Sequence, residues 1–362
     1  MRPLRTVAPG PGVLPALRDA LAGGPALRVG APADDLPAEV PQRVALVVET
    51  SGSTGRPKRV ALSADALLAN TGASESALGG PGQWLLALPT HYIAGINVLA
   101  RSLAAQLDPV VVEGPHFTAA GFVVAAARMT DPVRFVSLVP AQLATLLEDP
   151  AATEALAGFR AALIGGQAVP TPVLDRARAA GVRVVRSYGS SEVSGGCVYD
   201  GMPIGQTLVR VVDGEVQLGG PSVADGYLGD PALTAERFVA DAGTTWFRTA
   251  DGGTWDGQRL AITGRLDDVV ISGGVKVSLG SVERLLHEHG FPEAVVVKGS
   301  DARWGEVPVA FVTTDADTAP ATAAIEAALG PAARPRFRRG SAIPLLPSGK
   351  PDRVRLQRSA DN

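Results

Sequence analysis

Short apolar runs bounded by turn residues alternate along this chain with stretches of helical spacing. Residues 43–48 (RVALVV) and 59–63 (RVALS) read as two buried strands, because each run is brief, β-branched and flanked by polar punctuation. Gly12 to Ala22 reads as a short amphipathic helix, and Ser63 is placed to cap a helix through Asn70 with Asp65 in its first turn. Strands are expected over 83–89, 109–114 and 134–140, with a helical segment at 118–129 between the last two. Helix is expected again over 141–149, strand and turn over 159–170, and a helix over 170–181 with proline near its start and glycine at its end. Residues 182–192 then run as a strand into a polar loop, "YGSSE".

This alternation predicts an α/β fold with largely parallel pairing. The rhythm changes after about residue 195. Residues 208–220 read as a hairpin turning at Asp213-Gly214, and 246–265 continue in β style. After "GRLDD" (264–268) come a glycine turn, a helix at 282–290, strands at 293–299 and 307–314, and a helix at 321–330. The expected organisation is a large α/β unit, 1–266, with layered sheets and helices, followed by a small α+β unit, 267–362.

Composition narrows the class. At 46% hydrophobic the 362 residues can bury a large core, and a net charge of −3 lacks the basic field of a nucleic-acid binder. Cys197 is the only cysteine, which rules out an intramolecular disulfide and suits a reducing, cytoplasmic setting. No uninterrupted apolar segment resembles a signal peptide or a membrane span. Only four of the 33 basic residues are lysine, and three of these, Lys58, Lys276 and Lys350, follow closely on glycine. In an arginine-rich chain, such lysines mark places where a compact ammonium is needed.

The loop between the first two strands carries the clearest chemistry. Thr50, Ser51, Ser53 and Thr54 supply hydroxyls, Gly52 and Gly55 free the backbone to turn, and Lys58 adds a cation. Convergent N–H groups with hydroxyls and an ammonium suit a polyphosphate. The spacing is not that of G-x-x-x-x-G-K-[ST], and Pro57 disfavours a helix through Arg56, so this is a phosphate loop of another design.

Six motifs fall in order: "TSGSTGRPK", "THY", "YGSSE", "RTAD", "GRLDD" and "PSGK". Together they resemble the acyl-adenylate-forming superfamily of acyl-CoA synthetases, luciferases and peptide-synthetase adenylation domains. The short chain with "LPTHYIAG" looks like the o-succinylbenzoate–CoA ligases of menaquinone biosynthesis.

The resemblance implies roles. Thr50 to Lys58 would hold the β- and γ-phosphates of ATP, and Gly165-Gly166-Gln167 would lie against adenine. Tyr188, followed by Gly189, would stack on the base; Ser191 would reach the α-phosphate and Glu192 would hold Mg²⁺. Asp251 would accept both ribose hydroxyls, though the family has glycine where Ala250 stands. Arg265 would approach the ribose or phosphates. Lys350, on the mobile small unit, would bridge the substrate carboxylate and the α-phosphate. Asp267 would be the hinge, and Gly273, Gly274 and Lys276 would line the passage for the pantetheine arm of CoA.

His91 and Tyr92 would gate the acid pocket. Arg101, set in an apolar helix, would be costly to bury without a partner, and its fork suits the second carboxylate of o-succinylbenzoate. The basic stretch Arg334, Arg336, Arg338, Arg339, Arg353 and Arg355 is either a CoA-phosphate contact or a solvated face. His116, His287 and His289 lack metal-ligand partners at useful spacing, and Cys197 reads as a small buried residue. The expected reaction is ligation of an acid to CoA through an acyl-adenylate, with a homodimer as the expected assembly. The alternatives are another acyl- or aryl-CoA synthetase, loading of a separate carrier protein, a phosphate-loop hydrolase, and a non-catalytic nucleotide-binding regulator.

Overall fold

In the computed structural model, residues 1–33, 35–50, 58–114, 116–302, 304–346 and 350–360 are described. Four sheets organise them. A six-stranded sheet runs Gly226–Tyr227, Lys58–Ser63, Val44–Thr50, Ala26–Val29, Arg2–Val7, Glu39–Val40 in spatial order. A seven-stranded sheet runs Met202–Pro203, Gly195–Tyr199, Val184–Ser190, Ala161–Gly165, Arg134–Leu138, Gln83–Leu86, Val110–Val111. From Val110–Val111 to Val184–Ser190 this second sheet is parallel, and its helices cover it because parallel strands bury both faces. Leu17, Leu27, Leu46, Trp84, Ile96 and Phe135 belong to one core that joins the first two sheets.

The expected α/β fold is therefore present, with several boundaries moved. The helix capped by Ser63, whose side chain accepts the Ala66 N–H, runs on to Leu78 and ends at left-handed Gly79. The strand expected over 83–89 stops at Leu86. The Ala87 carbonyl accepts from the Gln142 side chain instead, and Pro89 has no N–H to pair. The strand expected over 109–114 is only Val110–Val111.

The third sheet is antiparallel and contains the expected hairpin Leu208–Val212 with Glu215–Gly219. The fourth contains Val269–Ser272, Val275–Ser278, Val295–Asp301, Gly305–Val312 and Arg336–Arg339. It packs its own core, including Val282, Leu286, Phe291, Val296 and Ile325. The helix expected over 282–290 begins at Leu279 and ends at Glu288, so His289 lies beyond it. Arg353–Ala360, read from sequence only as basic, is a helix.

Candidate active site

Strand ends deliver the site residues. Thr50 closes one strand and Lys58 opens the next, and the two are paired across the hairpin. Ser51, Gly52, Ser53, Thr54 and Gly55 lie outside the described residues. Below that hairpin, Glu49 accepts from Arg28 at 2.7 Å and from Arg59 at 3.1 Å. Burial pushes the Glu49 carboxyl up, but these arginines outweigh it and hold it below the ordinary value.

A cleft of about 120 Å³ is lined by Lys58, Tyr188, Gly189, Glu192, Asp251 and Arg265, among others. It lies beyond the carboxyl end of Val184–Ser190, where open α/β sheets place ligands. Gly189 must be glycine: a Cβ there would stand 2.0 Å from the Gly195 carbonyl oxygen. The chain then turns through a short 3₁₀ segment, Ser191–Val193, that buries Ser191 and Glu192.

Within the cleft, Tyr188 donates its hydroxyl to Asp251 Oδ2 at 2.7 Å. Burial raises the Asp251 carboxyl above its ordinary value, against the Tyr188 hydrogen bond and the Arg265 charge. Arg265 forks onto Asp267 at 2.8 and 2.6 Å and approaches Asp251 Oδ1 at 3.6 Å. Glu192 Oε1 accepts the Tyr227 hydroxyl at 2.9 Å, and Lys58 Nζ stands 5.7 Å from the Tyr227 ring centre. Among the described residues no cluster of three or more His, Cys, Asp or Glu is arranged to hold a metal. One buried carboxylate, Glu192, suits Mg²⁺, which takes few protein ligands and shares substrate phosphate oxygens.

Gly165 ends its strand and Gly166 turns at φ +86°, with Gln167 exposed beside it. Lys350 comes to this turn from 184 residues away. A Cβ on Gly166 would lie 3.1 Å from Lys350 Cε and 3.8 Å from Nζ. The lysine keeps access to solvent, yet its ammonium is crowded enough that lost hydration lowers its pKa, an effect Glu192 opposes.

His91 and Tyr92 sit together at the start of the helix Ile93–Ala105, their rings 4.1 Å apart, and burial lowers the His91 pKa. Arg101 lies on the same helix, about 14 Å along its axis from Tyr92 at 1.5 Å per residue. It neither reaches solvent nor meets an acid among the described residues. It is 4% exposed, stacks on Trp84 with its guanidinium carbon 4.8 Å from the ring centre, and makes a long 3.4 Å contact to the Tyr199 hydroxyl. Burial lowers its pKa.

Gly273, Gly274 and Lys276 form an exposed hairpin turn and are not among the residues lining the cleft. Arg353 is committed elsewhere, its Nη2 donating to both Glu283 carboxylate oxygens at 2.8 and 2.7 Å. Sequence reasoning missed Tyr227 and Glu215. Each contacts its functional partner across more than 30 residues, and neither sits in a motif that advertises it.

Stacked α/β sheets with this cleft define an adenylate-forming enzyme fold. The chain belongs to the family described as AMP-binding enzyme, whose profile matches residues 15–228. It is 42% identical over 361 residues to the probable 2-succinylbenzoate–CoA ligase of Mycobacterium tuberculosis, covering 95% of this chain and 90% of that protein. It resembles the solved structure of the amide bond synthetase McbA from Marinactinospora thermotolerans, at a TM-score of 0.77 and 27% identity, over 99% of this chain and 80% of that one. The fold is also that of o-succinylbenzoate CoA synthetase from Bacillus subtilis in complex with the acyl-adenylate intermediate OSB-AMP. There the TM-score is 0.74 at 24% identity, covering 95% of this chain and 80% of the other.

Proposed function

We propose that this enzyme joins 2-succinylbenzoate to CoA through an acyl-adenylate. The observation that supports the reading is that Glu192 and the Tyr188–Asp251 pair line one cleft, with Lys350 at the nearby Gly166 turn, in a chain that aligns along 95% of its length with a ligase so named. In the first step an oxygen of the substrate carboxylate attacks the α-phosphorus, the bond to the bridging oxygen breaks, and pyrophosphate leaves. In this reading Lys350 bridges the carboxylate and the α-phosphate as negative charge gathers between them, and a fixed cation there stabilises the transition state. Ser191 directs its hydroxyl to the α-phosphate, Asp251 holds the ribose, and Lys58 with the 50–55 loop holds the outer phosphates. Glu192, kept in place by Tyr227, would hold Mg²⁺, which neutralises phosphate charge.

In the second step the CoA sulfur bonds to the acyl carbon, the thiol proton is lost, and AMP leaves. We assign residues 267–362 to a lid that turns about Asp267 between the steps. That turn brings Gly273, Gly274 and Lys276 to the thiol path as Lys350 withdraws. Arg101 supplies the counter-charge for the substrate's second carboxylate. Its burial without an acid among the described residues supports this, because an unpaired buried charge is costly until a ligand neutralises it. We place the reaction in the cytoplasm, consistent with a buried free Cys197. Among the described residues no helix is long and apolar enough to cross a membrane.

The test is a panel of aromatic and aliphatic acids incubated with ATP and CoA and read by thioester mass. The proposal expects 2-succinylbenzoate to give the dominant thioester, with AMP as co-product. Preference for a monocarboxylate would overturn the substrate, and acylation of a carrier-protein thiol in place of CoA would overturn the acceptor.

A further inference from the structure

The strand Thr244–Trp255 breaks register where it carries Asp251. Gln217 faces Arg248 and Glu215 faces Gly252, so Thr249, Ala250 and Asp251 together oppose Val216 alone. Such a bulge takes N–H groups out of the ladder and re-aims side chains. Ala250 at its centre is buried with φ +60°, a region that L-residues visit at a cost. Side chains close the gap. Thr249 Oγ1 donates to the Val216 carbonyl at 2.7 Å and accepts the Asp251 N–H at 3.0 Å. Glu215, 7% exposed, accepts the Ala250 N–H on Oε1 at 2.9 Å and takes Arg248 on Oε2 at 2.8 Å.

We propose that Glu215 is a positioning residue for the nucleotide: its carboxylate holds the bulge that presents Asp251 to the ribose. Glu215 is not among the residues lining the cleft, whereas Arg248, Thr249 and Asp251 are, so it acts through the bulge they form. A shortened or apolar side chain at 215 would leave a buried N–H unpaired on an already costly conformation. Relaxation of Ala250 toward negative φ would then turn Asp251 away from Tyr188. The inference rests on the ribose-binding role proposed above for Asp251.

The experiment measures binding of ATP and 3′-deoxy-ATP to the full chain by competition with a fluorescent nucleotide, so it needs no acid substrate. Wild type should favour ATP, and Glu215→Ala should weaken ATP about tenfold or more, the range for a hydrogen bond to a charged group. The same variant should weaken 3′-deoxy-ATP much less. Glu215→Gln keeps an oxygen for the Ala250 N–H and should stay near wild type. Adding Ala250→Gly to Glu215→Ala should restore part of the ATP preference, because glycine takes positive φ freely. Glu215→Asp, a carboxylate one methylene short, should lose the preference as Glu215→Ala does, and it serves if the alanine variant fails to fold by thermal melting. Equal weakening of both nucleotides, or none, would overturn the positioning role. A wild type that binds both alike would overturn the ribose role of Asp251 itself, and the proposal with it.

Discussion

Tyr227 donates its hydroxyl to Glu192 across 35 residues of sequence, tying an edge strand of the first sheet to a short helical turn that leaves the second. The contact fixes one oxygen of a buried carboxylate. Burial and the neighbouring Glu192 charge together raise the Tyr227 pKa, so the phenol stays a donor through the physiological range. Tyr227→Phe should therefore cost about 1.5–3 kcal/mol in the first half-reaction, the worth of a hydrogen bond to a charged group. Pyrophosphate exchange titrated with Mg²⁺ should show a higher metal requirement at little change in melting temperature. An unchanged Mg²⁺ curve would remove Tyr227 from the site.

Lys350→Ala should cripple acyl-adenylate formation and spare transfer from a supplied acyl-adenylate. A lysine whose pKa is lowered loses its proton earlier as pH rises. The alkaline limb of kcat/KM for the first half-reaction, which reports the free enzyme, should thus fall below the ordinary lysine value of 10.5. Equal loss in both half-reactions would contradict a lysine that serves only one.

Arg101→Met should keep the fold, because it removes a costly buried charge that meets no acid among the described residues. It should raise KM for 2-succinylbenzoate about tenfold or more, as loss of a charge-assisted contact predicts, with KM for ATP little changed. Thermal shift gives a second reading: 2-succinylbenzoate should stabilise the wild type more than benzoate does, and the variant should lose the difference. An unchanged KM for the diacid would end the anchoring role.

Cys197 is buried and its thiol is pushed up to about 12 from 9.0. The folded protein therefore keeps this proton where the unfolded chain releases it. Its contribution to stability is full below pH 9 and declines as pH rises toward 12. Thiol reagents at pH 8 should label it only after denaturation. Rapid labelling of the native enzyme would contradict the packing around it.

Much of this was legible before the structure. "YGSSE" and "RTAD" are compact, and each sets its candidate residue next to glycine in a pattern that sequence can show. The helix from Ser63 was evident from its cap, while its end at Leu78 was not. No proline or glycine interrupts the reading before Gly79 except Gly72, which the helix tolerates. The strands Arg2–Val7 and Ala26–Val29 escaped notice because neither alternates cleanly. Both carry an arginine that is buried, Arg2 and Arg28. Glu215 was hidden for a different reason. Its role exists only through the register shift opposite Ala250, and pairing across 35 residues leaves no local pattern.

The central claim is two steps in one cleft, and mass spectrometry of a single turnover tests it most directly. Enzyme in excess, mixed with 2-succinylbenzoate, ATP and Mg²⁺ but no CoA, should accumulate the acyl-adenylate with one pyrophosphate per molecule formed. Adding CoA should then convert that adenylate to thioester and AMP without further ATP. Thioester that appears only when ATP is cleaved to ADP, or CoA addition that leaves the adenylate untouched, would contradict the account.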